Sequence, residues 1–188
     1  MGYLSLLLIA LMSVRTTAQG EHDGHRRLST KIHKKKMLLE HNIARCIHDT
    51  APLKWSKSLA NSSMEYAMYL AENMCGSLKH SERDGIGENL YTCGAYGSNV
   101  DPDSPCYTPE RVMEGWYYEE VSNLGGHMTQ VVWASTTKVG CGRATCIDGQ
   151  FHTDMIVCQY MEGGNNGDSS QVKPATKSKE ECMEELSV

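Results

Sequence analysis

The chain has 188 residues, 40% of them hydrophobic and 22% charged, with a formal net charge of −5, eight cysteines and eight histidines. That length and composition suit one compact domain with a core of ordinary size, and they exclude wholesale disorder, collagen-like repeats and coiled coils. The acidic balance argues against nucleic acid as a partner.

The first apolar run, Leu4 to Val14, is too short for a bilayer span of roughly 20 residues and leads into small residues at Thr16-Thr17-Ala18. Residues 1–18 therefore read as a secretory signal peptide, with no transmembrane segment. Its removal takes one basic residue and no acid. An extracellular destination makes the cysteines disulfides rather than zinc ligands. Residues 19–31 read as a loose basic N-terminal segment. Between Arg26 and Lys36 every charge is positive, which suits the solvated first turn of a helix that becomes amphipathic at Met37-Leu38-Leu39. The competing readings are a patch for an anionic glycan or surface, and a dibasic processing site at Arg26-Arg27.

Ser58 to Met74 carries the clearest helical period. At 100° per residue Leu59, Ala60, Ser63, Ala67, Leu70, Ala71 and Met74 share one arc, while Asn61, Glu65, Met68 and Glu72 lie opposite. Asn61 is thus expected at the surface, where it opens the glycosylation sequon Asn61-Ser62-Ser63. Residues 91–109 mix Cys, Tyr, Pro and Gly without a period and predict a long ordered loop closed by Cys93 and Cys106. Pro109 then starts a third helix running through Val112, Met113, Trp116 and Tyr117.

Val139 to Ile147 and Gln150 to Tyr160 flank Asp148-Gly149, the signature of a two-residue hairpin turn. That register sets Cys141 opposite Ile156 and leaves Cys158 a diagonal neighbour about 7 to 8 Å away, too far for a bridge unless a bulge at Gly140 or Gly142 closes the gap. Cys146 differs in parity from Cys141 and faces the other layer, where Cys75 at the end of the long helix is its natural partner. Gly163 to Glu181 reads as a flexible tail unless Cys182 staples it.

Four titratable residues sit in glycine-punctuated contexts: His80, Glu88, Glu119 and His127. Imidazole paired with carboxylate serves a water-bearing divalent metal or acid/base transfer, although spacing alone is a weak signal for these four. Gly126-His127-Met128-Thr129-Gln130-Val131-Val132-Trp133 with Val139-Gly140-Cys141-Gly142, Met155-Ile156-Val157-Cys158-Gln159-Tyr160, His41-Asn42-Ile43-Ala44-Arg45 and Gly87-Glu88-Asn89-Leu90 resemble the four signature motifs of the CAP superfamily, which holds cysteine-rich secretory, antigen 5 and pathogenesis-related 1 proteins. The resemblance covers residues 32–165 and leaves 166–188 as a polar tail.

The resemblance implies an α+β fold, a three-layer α-β-α sandwich around a small antiparallel sheet. It implies a cavity lined by His80, Glu88, Glu119 and His127, with His80 and His127 ligating a weak Zn²⁺ or Mg²⁺ and the carboxylates behind them. It supports the pairs Cys75–Cys146 and Cys141–Cys158, and elimination leaves Cys46 with Cys182. Met128 departs from the family's aromatic, and Ile86 and Met161 stand where venom-type relatives carry two cysteines. His41, Asn42 and Arg45 read as structural, and Trp55, Trp116 and Trp133 as core.

For function, the resemblance implies a secreted, non-catalytic binder of sterol or fatty acid, with Tyr91, Tyr96 and Tyr107 as apolar contacts of the loop and a groove between helices for acyl chains. The alternatives are a protease using Ser81, against which no nucleophile elbow and no His-Glu-x-x-His occurs, and a receptor ligand or immune-modulating effector whose cavity does no chemistry. No cofactor is required by the non-catalytic reading.

Overall fold

The computed structural model describes residues 26–96 and 106–187. The expected signal peptide and the segment 97–105 lie outside the described residues. The strands are β1 (Arg26–Thr30), β2 (Lys54–Trp55), β3 (Gly87–Tyr96), β4 (Lys138–Asp148) and β5 (Phe151–Met161). They form one sheet in the order β1-β4-β5-β3, antiparallel throughout, with β2 adding a short parallel pair at the start of β4. The helices are α1 (Lys34–Ile47), α2 (Lys57–Asn73), α3 (Pro109–Met113), α4 (Gly126–Val132) and α5 (Lys179–Glu185). A π-helical turn, Glu114–Tyr118, continues α3, and a 3₁₀ turn covers Ser169–Gln171.

Strand parity builds the three layers. On β4 the odd positions Val139 and Cys141 join a core with α1, α3, α4 and Cys182, while the even positions Ala144 and Cys146 join a second core with Ala67, Leu70 and Ala71 of α2. Helix α2 buries the expected arc, including Leu59, Ser63, Ala67 and Leu70, and exposes Asn61 and Glu65. Ser56 caps it, its Oγ accepting from the Leu59 amide at 3.2 Å. The seat for α2 on β4 is two glycines: a Cβ on Gly140 would stand 2.2 Å from the Ala60 nitrogen, and one on Gly142 2.2 Å from the Met64 nitrogen.

The hairpin departs from the expected register. Asp148 pairs with Phe151, so Gly149-Gln150 forms the turn, and Gly149 at φ +58° takes the first central position. Cys141 then lies directly opposite Cys158, with Cα atoms 4.1 Å apart, and no bulge is needed. The other disulfides are Cys75–Cys146, Cys93–Cys106 and Cys46–Cys182.

Two further expectations are corrected, and a third, the tail left conditional on Cys182, is resolved. The basic segment expected to be loose to residue 31 supplies β1 at the sheet edge, hydrogen-bonded to β4. The segment predicted as a loop from Tyr91 is strand as far as Tyr96, because β5 offers it a ladder from Gly87 to Tyr96. The polar tail is docked: Thr176 N–H donates to the Ile47 carbonyl, the Ala134 N–H to that of Gln171, and the capping box of Ser178 and Glu181 starts α5, whose Cys182 reaches α1. Among the described residues no helix is long and apolar enough to cross a membrane.

Candidate functional site

The signature residues of α1 build a frame. His41 Nδ1–H donates to the Met37 carbonyl at 2.7 Å, so Nε2 accepts from the Tyr160 hydroxyl at 2.9 Å. Tyr160 in turn accepts from Asn89 Nδ2 at 3.3 Å, and the same amide donates to the His127 carbonyl at 3.1 Å. Burial pushes the Tyr160 phenol far above its ordinary range, so it remains a neutral hydroxyl in this chain. Arg45 donates to the carbonyls of Ala51, Val131, Trp133 and Thr136, binding α1 to the C-terminal end of α4 and its exit loop. Asn42 holds the Leu53 peptide through both its amide groups. Trp116 and Trp133 are buried, and Trp55 packs half-buried against the same core.

Of the four titratable residues, His80 and Glu88 form one imidazole–carboxylate pair, while His127 forms a second with a carboxylate outside that set. His80 Nδ1–H donates to Glu88 Oε1 at 3.1 Å, and Glu88 also accepts from the Ser81 amide and hydroxyl and from Gln159 Nε2. His127 Nδ1–H donates to Glu120 Oε1 at 2.6 Å, with the Trp116 ring stacked beside it. The partner of His127 is thus Glu120, whereas Glu119 is exposed. The π-helical turn explains the difference: the Glu119 N–H reaches back five residues to the Glu114 carbonyl, and the extra residue in that turn advances the following side chain by one position. Glu120 also accepts from the main-chain amides of His127 and Met128, supplying the cap that Gly125 cannot. Burial alone would raise the Glu120 carboxyl, but these hydrogen bonds outweigh it and hold the group below the usual carboxylate range.

Both imidazoles therefore carry their proton on Nδ1 and leave Nε2 as the donor atom, the arrangement that second-sphere carboxylates give metal-binding histidines. Among the described residues the one His, Cys, Asp or Glu trio with ligand atoms mutually within 4.8 Å is Cys93, Cys106 and Asp154, and its cysteines form a disulfide.

Of the loop tyrosines, only Tyr96 is presented to solvent, 78% exposed, with Phe151 opposite it on β5. Tyr91 is half-buried. Tyr107 is buried, its ring under the Arg143 guanidinium at 4.3 Å and its hydroxyl accepting from the His33 amide, so it is not a ligand contact.

A cavity of about 620 Å³ lies at the far end of α1 and α4, lined by His48, Val121, Leu124, Trp133, Val172 and Lys173 among others. His48 fastens its wall: Nδ1–H donates to the Lys173 carbonyl at 2.5 Å, and Nε2 accepts from the Tyr117 hydroxyl at 2.9 Å. Trp133 is buried, and its indole N–H has no acceptor among the described residues.

The family profile described as "CAP: Cysteine-rich secretory protein family" matches residues 38–160. The chain belongs to the CAP family. A CAP relative from Medicago truncatula, pathogenesis-related protein PR-1, is 30% identical over 165 residues, covering 86% of this chain and 91% of its own. Two fungal relatives, Repressed by EFG1 protein 1 of Candida albicans and protein PRY2 of Saccharomyces cerevisiae, are 35% and 36% identical over 69% of this chain. The chain spans 46% and 37% of their respective lengths. Among solved CAP structures, that of NaASP2 with Zn²⁺ is similar with a TM-score of 0.54 at 22% identity, covering 76% of this chain and 86% of that one. The structure of BmVAL-1 gives 0.52 at 25% identity, covering 75% and 79%. The α-β-α sandwich is thus the CAP fold. CAP proteins such as the PR-1 relatives are generally non-enzymatic, and the Ser81 hydroxyl donates to the Glu88 carboxylate rather than to a histidine.

Proposed function

We propose that this chain is a secreted, non-catalytic lipid-binding CAP protein whose ligand enters the cavity walled by α1, α4 and the docked C-terminal segment. The observation that carries this reading is the cavity itself. Its volume of about 620 Å³ lies within the range of about 300–1,000 Å³ usual for ligand sites. Its walls are apolar at Val121, Leu124, Val172 and Ala175, with Lys173 to meet an anionic head group. A fatty acid matches that distribution better than a sterol, which offers one hydroxyl. The CAP family binds lipids in general, which supports the class of ligand. Tyr96 and Phe151 form a separate exposed aromatic pair suited to a sterol or a membrane surface.

His80 and His127 are the proposed ligands of a loosely held divalent ion. Two imidazoles with carboxylates behind them fit Zn²⁺ better than Mg²⁺, and a site with so few protein ligands is completed by water. Bound there, the ion would supply a positive charge beside the two imidazole–carboxylate pairs.

Palmitate and cholesterol binding to the purified protein tests the proposal, with Leu124→Asp and Val172→Asp placing charge in the cavity and Tyr96→Ala altering the exposed pair. Palmitate affinity is expected to fall in the cavity variants and to hold in Tyr96→Ala. Failure of the wild type to bind either lipid overturns the lipid reading, and loss confined to Tyr96→Ala moves the site to the strand tip.

A further inference from the structure

The Asn61 sequon is split between solvent and core. Asn61 is exposed, Ser62 half-buried, and Ser63 wholly buried, its hydroxyl donating to the Gly140 carbonyl at 2.8 Å. Gly140 and Gly142 have no Cβ because α2 backbone occupies that space. The Cys75–Cys146 disulfide then ties the end of α2 to the same strand. N-glycosylation needs both ends of the tripeptide: the Asn amide as nucleophile and the third residue's hydroxyl as the recognition group, on an extended chain. In the folded domain the first is offered and the second is withheld.

We propose that Asn61 is an N-glycosylation site whose modification competes with the docking of α2 on β4, so that folding sets its occupancy. In the reaction the Asn61 amide nitrogen loses a proton to a base of the transferase and bonds to the anomeric carbon of the first sugar of a polyprenyl-diphosphate-linked oligosaccharide. The bond from that carbon to the diphosphate breaks, and the lipid diphosphate leaves with the electron pair.

Chain order opens a window for the reaction. Gly140, the seat of Ser63, is made 79 residues after Asn61, which at about 5–20 residues per second is roughly 4–16 s. Until then the 17 residues of α2 have no sheet to lie on, and most of a helix's stability in a protein comes from such packing rather than from propensity. The finished fold leaves room for the product, because Asn61 lies on the stripe of α2 with exposed Glu65 and half-exposed Tyr69.

The proposal rests on the secretory part of the reading above, so the test separates the two. The full chain is expressed in cultured eukaryotic cells with its own N-terminus and, in parallel, behind a heterologous leader, and Asn61 occupancy is read by mass spectrometry before and after glycosidase treatment. Behind the heterologous leader, partial occupancy is expected that vanishes in Asn61→Gln and rises during a pulse of dithiothreitol or in the double variant Cys75→Ser/Cys146→Ser. Folded, unglycosylated protein given to microsomes with lipid-linked donor is expected to remain unmodified until reduced and unfolded. Modification of the folded protein, or full occupancy insensitive to reductant, overturns the competition. No glycan behind the heterologous leader even with folding delayed overturns the site. Glycosylation there but not with the native N-terminus overturns the secretory reading alone.

Discussion

Burial holds the His41 imidazole down to about 4, against the Met37 carbonyl, which favours the protonated ring, and with help from the nearby Arg45 charge. The unfolded ring takes its proton near 6.5. Between those values the unfolded chain binds the extra proton, so stability present at neutral pH is lost as pH falls from about 6.5 to about 4, by up to about 3 kcal/mol. Thermal melts across that range are expected to show this slope in the wild type and a shallower one in His41→Gln. A second residue-scale prediction separates two adjacent carboxylates. Glu120→Gln is expected to weaken zinc binding by about 10-fold or more by freeing the His127 ring, and to cost about 1 kcal/mol as a lost helix cap. Glu119→Gln is expected to change neither, and zinc titration with parallel melts checks both. The family resemblance pointed to Glu119; no residue pattern announced the π-helical turn that substitutes Glu120, because it is set by how α3 packs, not by propensity.

At the scale of elements, α2 and β4 meet more closely than side chains allow. Gly142→Ala sets a methyl against the Met64 backbone, and such overpacking costs about 1–3 kcal/mol. The variant is expected to melt earlier and to exchange the α2 amides faster, whereas Gly149→Asn, in a turn with open space around it, is expected to stay close to wild type. Much of this layer was legible in advance: the period of Ser58 to Met74 identified the buried face, and strand parity sent Cys141 and Cys146 to opposite faces. The hairpin register was not. Asp148-Gly149 and Gly149-Gln150 are both acceptable two-residue turns, and the choice falls to the pairing that brings Cys141 against Cys158 and aligns the buried residues of β4 with those of β5.

For the whole molecule, the Cys46–Cys182 bridge closes a separation of 136 residues and clamps the segment that walls the apolar cavity. Cys46→Ala/Cys182→Ala is expected to cost several kcal/mol of stability, on the order of 4–5 from loop closure. It is also expected to lose palmitate binding before global unfolding, which titration of the folded variant at low temperature checks. The same logic makes His48 a fastening of the cavity, since it joins the end of α1 to the Lys173 carbonyl and to Tyr117.

The sequence by itself determined the family, the single stapled domain, the amphipathic face of α2, the structural work of His41, Asn42 and Arg45, and the layer to which each hairpin cysteine belongs. These follow from local period, parity and motif spacing, which a linear chain displays. Only the tertiary structure decided that Glu120 partners His127, that Tyr107 is buried, that the tail is a wall and that Ser63 is spent on Gly140. Each of those depends on contacts between residues far apart in the chain, where excluded volume and the pairing of buried polar groups choose among arrangements that local pattern leaves equal.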